Sequence, residues 1–346
     1  MVTIKDVARA ANVSTATVSR VVRDKGQVGD KCRAKVQKII KQLGYRPNTN
    51  ARALVSKRSD TMGIVTPNLS DPFFGGIAQG IEEVARQMQY KVMMGNSLHD
   101  EEGEIEAIAS LRENGCENII IHSKYSSNET LIKLCEELPG LVLINRFIPS
   151  IAGRCVWLDN TVGGRISTEY LLNNNHKDIA VLTSYYNNQD PHDRIRGFKM
   201  AMEMAGHTVK DELIFVSDLK QVIKQGQNGG NLEGESTAKR LLESGQKFTA
   251  IIAYNDHMAV GAMNLLLDNG IRVPEDVSII GFDNVYVSMI VRPQLTTINY
   301  PVVQMAKYAA QLSIDLTKDK ENVENKTHLF MPELIERNSV YNLKES

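Results

Sequence analysis

The sequence predicts a multidomain chain in which an all-α module precedes an α/β body built on two doubly wound parallel sheets. Three observations carry this. Positive charge gathers in the first 60 residues, apolar residues recur there at helical spacing, and from Thr61 apolar strand-like runs alternate with amphipathic segments. The 346 residues suffice for two or three domains with sizeable cores. An apolar fraction of 42% with 23% charged residues is that of an ordinary globular protein and excludes disordered, collagenous and disulfide-scaffold classes. No apolar run approaches the ~18 residues of a membrane span. Lys5, Asp6 and Arg9 stand where a signal peptide needs an apolar stretch. Cys32, Cys116, Cys135 and Cys155 lie far apart with no CxxC pair, so they read as small buried residues of a reducing compartment. A cytoplasmic protein with no membrane partner is expected.

Residues 1–60 hold 14 Lys and Arg against 4 Asp and Glu, a net of +10, leaving 26 against 37 for the remainder. A compact basic module on an acidic body predicts a polyanion bound at one end. Within that module a first helix starts at Thr3, a cap with Asp6 three residues on, and places Ile4, Val7, Ala8 and Ala11 on one face. Asn12-Val13-Ser14 breaks the pattern, and Ser14 caps a second helix over Thr15–Val22, with Val13 and Val18 as its staple. That helix buries Val18, Val21 and Val22 and turns Thr15, Ala16, Ser19 and Arg20 outward. A third helix follows Asp30, with Val36, Ile39, Ile40 and Leu43 inside and Gly44 at its C′ position. Two short helices on a three-residue turn, the second opening with small polar residues and an Arg, suit a DNA major groove.

The run TIKDVARAANVSTATVSRVV, then GYRPNTNARALVSKRS, resembles the headpiece and hinge of the LacI/GalR family of bacterial transcriptional repressors. The likeness continues through SDPFFGGIAQGIEEVA, VLINR, YNDHMAVGAMNLLLDNGIRVPEDVSIIGFDN and RPQLTTINYP to about residue 340. VLINR, NARAL and FTAIIAYND are most similar to its galactose-responsive members. The resemblance implies DNA contacts from Thr15, Ala16, Thr17, Ser19 and Arg20. It also implies a hinge helix that orders in the minor groove beside its twin from a second subunit. Asn48 to Val55 is too short to hold a helix alone, since ~12–15 residues are already marginal. Asn48, Ala51 and Leu54 are its expected DNA contacts, with Leu54 as a wedge between base steps. The expected domains are a headpiece over 1–46, a hinge over 47–60 and an effector-binding and dimerisation body over 61–340.

The body's strand-like runs are MGIVT, VMMG, NIIIHS, LVLIN, VWLD, IAVLTS, LIFVS, AIIAY and VSIIGF. The family implies a pair of periplasmic-binding-protein-like lobes: one of about 61–160 plus 291–325, the other of about 161–290 plus 326–340. Ligands of such sheets sit at strand C-termini facing the cleft. There Asn68, Asn145, Asp159, Arg194, Asn255 and Asp283 end strands or open helices, and Phe73 offers an aromatic face. Carboxylates, amides and an aromatic face are what a sugar requires. Arg194, Asn255 and Asp283 match the family's principal effector positions, and Asn145 and Asn68 match weaker ones. Asp71 and Asp256 read as caps of the helices that follow them. The loop 220–234 is longer than the family pattern, so Phe215 and Leu219 are both left open as a pocket wall.

Enzyme chemistry finds little support. There is no GxSxG, GxxxxGK[ST] or strand-linked GxGxxG, and the seven histidines never pair as HxxxH. No metal, cofactor or catalytic residue is expected. The alternatives are a regulator of another sugar and a free sugar-transport binding protein, and the basic first 60 residues oppose the latter. The expectation is a dimeric repressor, released from a palindromic operator by D-galactose.

Overall fold

The computed structural model describes residues 2–22, 26–45, 60–97, 100–185, 188–218, 230–318 and 328–343. The chain divides into two units, Met1–Asp60 and Thr61–Ser346. The hinge contacts Asn48, Ala51 and Leu54 lie outside the described residues, as does Leu219.

In the first unit α1 (Ile4–Ala11), α2 (Thr15–Val22) and α3 (Asp30–Leu43) form at the predicted positions. Thr3 and Asp6 make a reciprocal capping box, Asp6 Oδ2 accepting from Thr3 N at 2.9 Å. Asn12 leaves α1 at φ 52, and Ser14 Oγ accepts from Thr17 N at 3.1 Å to start α2. Val7, Ala8, Ala11, Val18, Val21 and Val36 form the buried core. Leu43, expected inside, is instead exposed. Ile40 and Tyr45 on either side of it pack against that core, so Leu43 lies on the outward face of the last turn of α3.

The second unit carries two six-stranded sheets among the described residues. The N-terminal sheet contains β1 (Thr61–Thr66), β2 (Lys91–Asn96), β3 (Asn118–Ile121), β4 (Gly140–Ile144) and β5 (Cys155–Leu158). Between these strands run α4 (Pro72–Gln87), α5 (Glu101–Glu113) and α6 (Asn128–Glu137). The C-terminal sheet is built from β6 (Ile179–Thr183), β7 (Ile214–Val216), β8 (Ala250–Ala253), β9 (Ser278–Asp283) and β10 (Thr296–Asn299). Its helices are α7 (Asn160–Asn173), α8 (Gln189–Met204), α9 (Gly230–Glu243), α10 (Asp256–Asp268) and the single turn α11 (Val287–Ile290). The chain then returns through α12 (Val302–Lys318) to β11 (His328–Phe330), which pairs parallel with β5, and ends on β12 (Glu333–Ile335), antiparallel to β10.

Alternation along β3 explains the double winding. Ile120 joins the core under α4 and α12, whereas Ile119 and Ile121 join the core under α5 and α6. All three are fully buried, each stabilising by roughly 1.5–3 kcal/mol. The C-terminal sheet repeats the plan, with Ile251 and Ile279 on one face and Ile179 and Val181 on the other.

Three crossings join the lobes. The first is at Asp159, between β5 and α7. The second falls at 300–301 and not near 290, because β10 hydrogen-bonds in register to β9 and so belongs to the C-terminal sheet. The third falls at 331–332 and not near 325, because β11 pairs with β5. Ile77 and Ile81 of α4 are buried in their own lobe, so that helix does not offer them to a second copy.

Candidate functional site

On the headpiece, α2 presents Thr15, Ala16 and Arg20 to solvent, with Ser19 half-buried beside them. Thr17 is turned back, its hydroxyl 2.9 Å from Ser14 Oγ. Lys35, Lys38 and Lys41 line the exposed side of α3.

In the body, the strand ends of the two sheets face one cavity. Of the seven residues expected there, Phe73, Asn145, Arg194, Asn255 and Asp283 line it, whereas Asp159 caps α7, its Oδ1 accepting from Val162 N at 2.9 Å. Asn68 does not line it either: its Oδ1 accepts from Ser70 N at 3.0 Å and Ser70 Oγ at 2.8 Å, closing a turn before α4. Phe215 packs into the C-terminal core instead.

The backbone sets up each polar group. β9 ends on Asp283 at φ 101 and Asn284 at φ 55, a strained exit costing about 1–3 kcal/mol per residue. Burial pushes the Asp283 carboxyl up to about 7, opposed by the Arg194 guanidinium. The Arg194–Asp283 separation is 3.9 Å. Arg194 is held by a 2.9 Å bond to Asn160 Oδ1 and a bond to the Tyr254 carbonyl, with its guanidinium 3.4 Å from the Phe282 ring centroid. A glycine makes this possible: a Cβ at Gly164 would stand 2.1 Å from the Arg194 carbonyl, so only glycine lets α7 and α8 cross so closely.

Asn255 caps α10, its Oδ1 accepting from Met258 N at 2.8 Å. The expected cap Asp256 is buried and ties the lobe together, accepting from Val285 N at 2.8 Å and Thr297 Oγ1 at 2.5 Å. The reason is register: the first helical residue points back under β9 and β10, and the residue before it faces the free amides. Asp71 does cap its helix, accepting from Phe73 N at 2.9 Å.

Further lining residues were not anticipated, among them His122, Lys124, Asp190, His257 and Tyr300. His122 and Tyr300 obey the strand-end rule, following β3 and β10, and that rule finds them. Burial holds the His122 ring neutral, down to about 3, and also lowers Lys124, against the pull of Asp190, Asp71 and Asp283. The loop bearing both is fixed by Glu104 of α5. This wholly buried carboxylate accepts from Ser123 Oγ, Lys124 N, Tyr125 N, Ser126 N and Ser126 Oγ.

Polar side chains of the cleft also meet across the lobes. Asn145, at φ 59, donates from Nδ2 to Asp190 Oδ2 at 2.5 Å, and His257 Nε2 lies 4.0 Å from Asp71 Oδ1. Both His122 nitrogens, Asn145 Oδ1, His257 Nε2 and Tyr300 Oη are buried without a hydrogen-bond partner among the described residues. Each such atom costs about 1–3 kcal/mol when left unpaired, so their convergence gives this cavity donors and acceptors that a polar ligand could satisfy.

Residues 3–48 match the family described as bacterial regulatory proteins, lacI family, and residues 168–340 match a periplasmic binding protein-like domain. The chain is 41% identical over 340 residues to the HTH-type transcriptional regulator GalR of Salmonella typhimurium (strain SL1344), covering 98% of this chain and 96% of that one. The chain belongs to the LacI family. It is a DNA-binding transcriptional repressor, and its relatives are regulators, not enzymes. A structure of the lac repressor dimer bound to operator and an anti-inducer shares the fold, with a TM-score of 0.86 at 24% identity over 98% of this chain and 99% of that one. A CelR–cellobiose complex is similar with a TM-score of 0.71, 26% identity, and coverage of 98% and 100%.

Proposed function

We propose that this repressor responds to D-galactose, which binds the cleft and releases a palindromic operator held by a homodimer. The observation that carries the reading is the cleft's population of unpartnered buried polar atoms beside aromatic rings. Phe73 stands edge-on to Tyr300 at 5.1 Å, giving an apolar wall for one face of a sugar ring. Asp283, Asp190, Arg194 and Lys124 supply acceptors and donors without a surplus of positive charge, which suits a neutral polyol better than a phosphate ester. The GalR relative and the sugar-bound CelR structure support the same class of effector. Calorimetry with a panel of hexoses and pentoses tests it. D-galactose should bind more tightly than D-glucose, whose equatorial C4 hydroxyl leaves a polar partner unmet. Equal affinity for the two epimers would refute the assignment.

The exposed Tyr286, Met289 and Ile290 around α11 form an apolar strip on the C-terminal lobe that suits a second copy. Sedimentation should then give about 77 kDa, twice the chain's 38.5 kDa.

Arg20 is the proposed base reader. Arg20→Ala should lose about 1–3 kcal/mol on operator and little on random DNA, whereas Lys38→Ala should weaken both alike. Competition binding on the two DNAs measures this, and equal losses for Arg20→Ala would remove it as a reader.

Effector binding should depend on pH through Asp283. Its raised value means the free cleft keeps a proton that the unfolded chain releases near 4, so stability without sugar falls as pH rises from about 4 to 7. Sugar hydroxyls donate to the carboxylate and favour its ionised form. Galactose affinity should therefore climb as pH rises through about 7 and level off above it, and Asp283→Asn should flatten that profile.

A further inference from the structure

The Asn145–Asp190 bond that crosses the lobes is also the wall of a second cavity. Phe147, Trp157, Asn160, Gln189, Asp193 and Arg196 line its other sides. We propose that this cavity is a second saccharide subsite, so that the preferred effector is a galactosyl disaccharide with one ring in the cleft and the other on Trp157. The inference rests on the reading of the cleft as a galactose site.

Its chemistry repeats that of the cleft. Trp157 is the chain's one tryptophan, standing on β5 two residues before the chain crosses to the other lobe at Asp159. Its ring lies 4.7 Å from that of Phe147, tilted by 34°, making a two-ring aromatic platform. The indole Nε1 is buried without a hydrogen-bond partner among the described residues, a donor left for a ligand oxygen. Facing the platform, Arg196 donates to Asp193 Oδ1 at 2.7 Å and to Thr161 Oγ1 at 2.8 Å. A carboxylate–guanidinium pair beside aromatic rings is the motif that Asp283, Arg194 and Phe282 make in the cleft. Asp190 and Asp193 outweigh the single Arg196, so the cavity favours a neutral ring over a phosphorylated one.

The partition is made of hydrogen-bonding groups and not of packed apolar side chains. Asp190 Oδ2 accepts from Asn145 at 2.5 Å and from Asn188 at 3.4 Å, and its Oδ1 accepts from Asn160 at 3.5 Å. The Oδ1 of Asn145 is unpartnered. A glycosidic linkage with its flanking hydroxyls can replace these bonds in kind, joining the two cavities without stranding a polar group.

A single tryptophan makes the test direct, because intrinsic emission reports Trp157 alone. The full-length protein is titrated with D-galactose, lactose, melibiose and β-1,4-galactobiose, following calorimetry and tryptophan emission together. At least one disaccharide should bind tenfold or more tightly than galactose and change the emission. Trp157→Ala should lose that gain while keeping galactose affinity within twofold, which also shows that the variant folds. Trp157→Phe should keep most of the gain, and Asp193→Asn should lose it. Galactose binding with no disaccharide preferred, or preference without dependence on Trp157, overturns the second subsite and leaves the cleft reading standing. Binding of none of the four sugars overturns both.

Discussion

Asp283→Ala should lower galactose affinity by 10²-fold or more while leaving operator affinity within twofold. The carboxylate ends β9 in a strained conformation that aims it into the cleft, 3.9 Å from Arg194. If it accepts from two sugar hydroxyls, each charge-assisted bond contributes about 1.5–3 kcal/mol, and a methyl group leaves both hydroxyls unpaired in a closed space. The headpiece folds on its own core, so the variant should repress and stay deaf to inducer. Arg194→Ala should do comparable damage. Asn255→Ala is a poorer probe, because loss of its cap to Met258 N also costs about 1 kcal/mol of stability. Calorimetry beside operator binding checks the set, and an Asp283→Ala protein that still binds galactose would displace the site.

Glu104→Ala should be the most destabilising single change, by about 3–5 kcal/mol in urea denaturation. No part of Glu104 reaches solvent, and its two oxygens hold three backbone amides and two hydroxyls of the segment 123–126. Alanine leaves all five donors unpaired and releases the loop that carries His122 and Lys124 into the cleft. Sugar affinity should fall with stability, although Glu104 lines no part of the cavity. Glu104→Gln should recover little, since its amide donors face other donors. A loss under about 1 kcal/mol would show that the loop is held by something else.

These two residues also mark what the sequence could and could not convey. The headpiece was legible because its punctuation is local: Thr3 with Asp6, Ser14, and Gly44 at φ 61 each act within one helical turn. The strands were legible as apolar runs, and the polar residues that end them led to Asn145, Asn255 and Asp283, whereas Arg194, in the second turn of α8, was reached through its match to the family. Lys124 and Asp190 were not found, because charged residues in apparent loops look solvated until the opposite lobe closes over them. Asn68 and Asp256 show the converse. Each stood beside the right strand or helix, but a turn of one residue sent the first into a local bend and the second beneath the sheet. Glu104 is one acidic residue among several on α5, and its role depends on five donors about twenty residues away in sequence. The crossings at 300–301 and 331–332 were misplaced for a similar reason, since sheet membership is decided by pairing partners, not by strand spacing.

The central claim, that sugar in the cleft weakens DNA binding by the headpiece, is best tested by fluorescence anisotropy on one labelled duplex. The full-length chain selects its own operator from a random palindromic library, and D-galactose or D-glucose is then titrated into the complex. Coupling between the two sites should weaken operator affinity by about 5–150-fold at saturating galactose, with glucose at the same concentration leaving the anisotropy unchanged. An operator complex that galactose leaves intact, when calorimetry shows the cleft filled, would contradict the account.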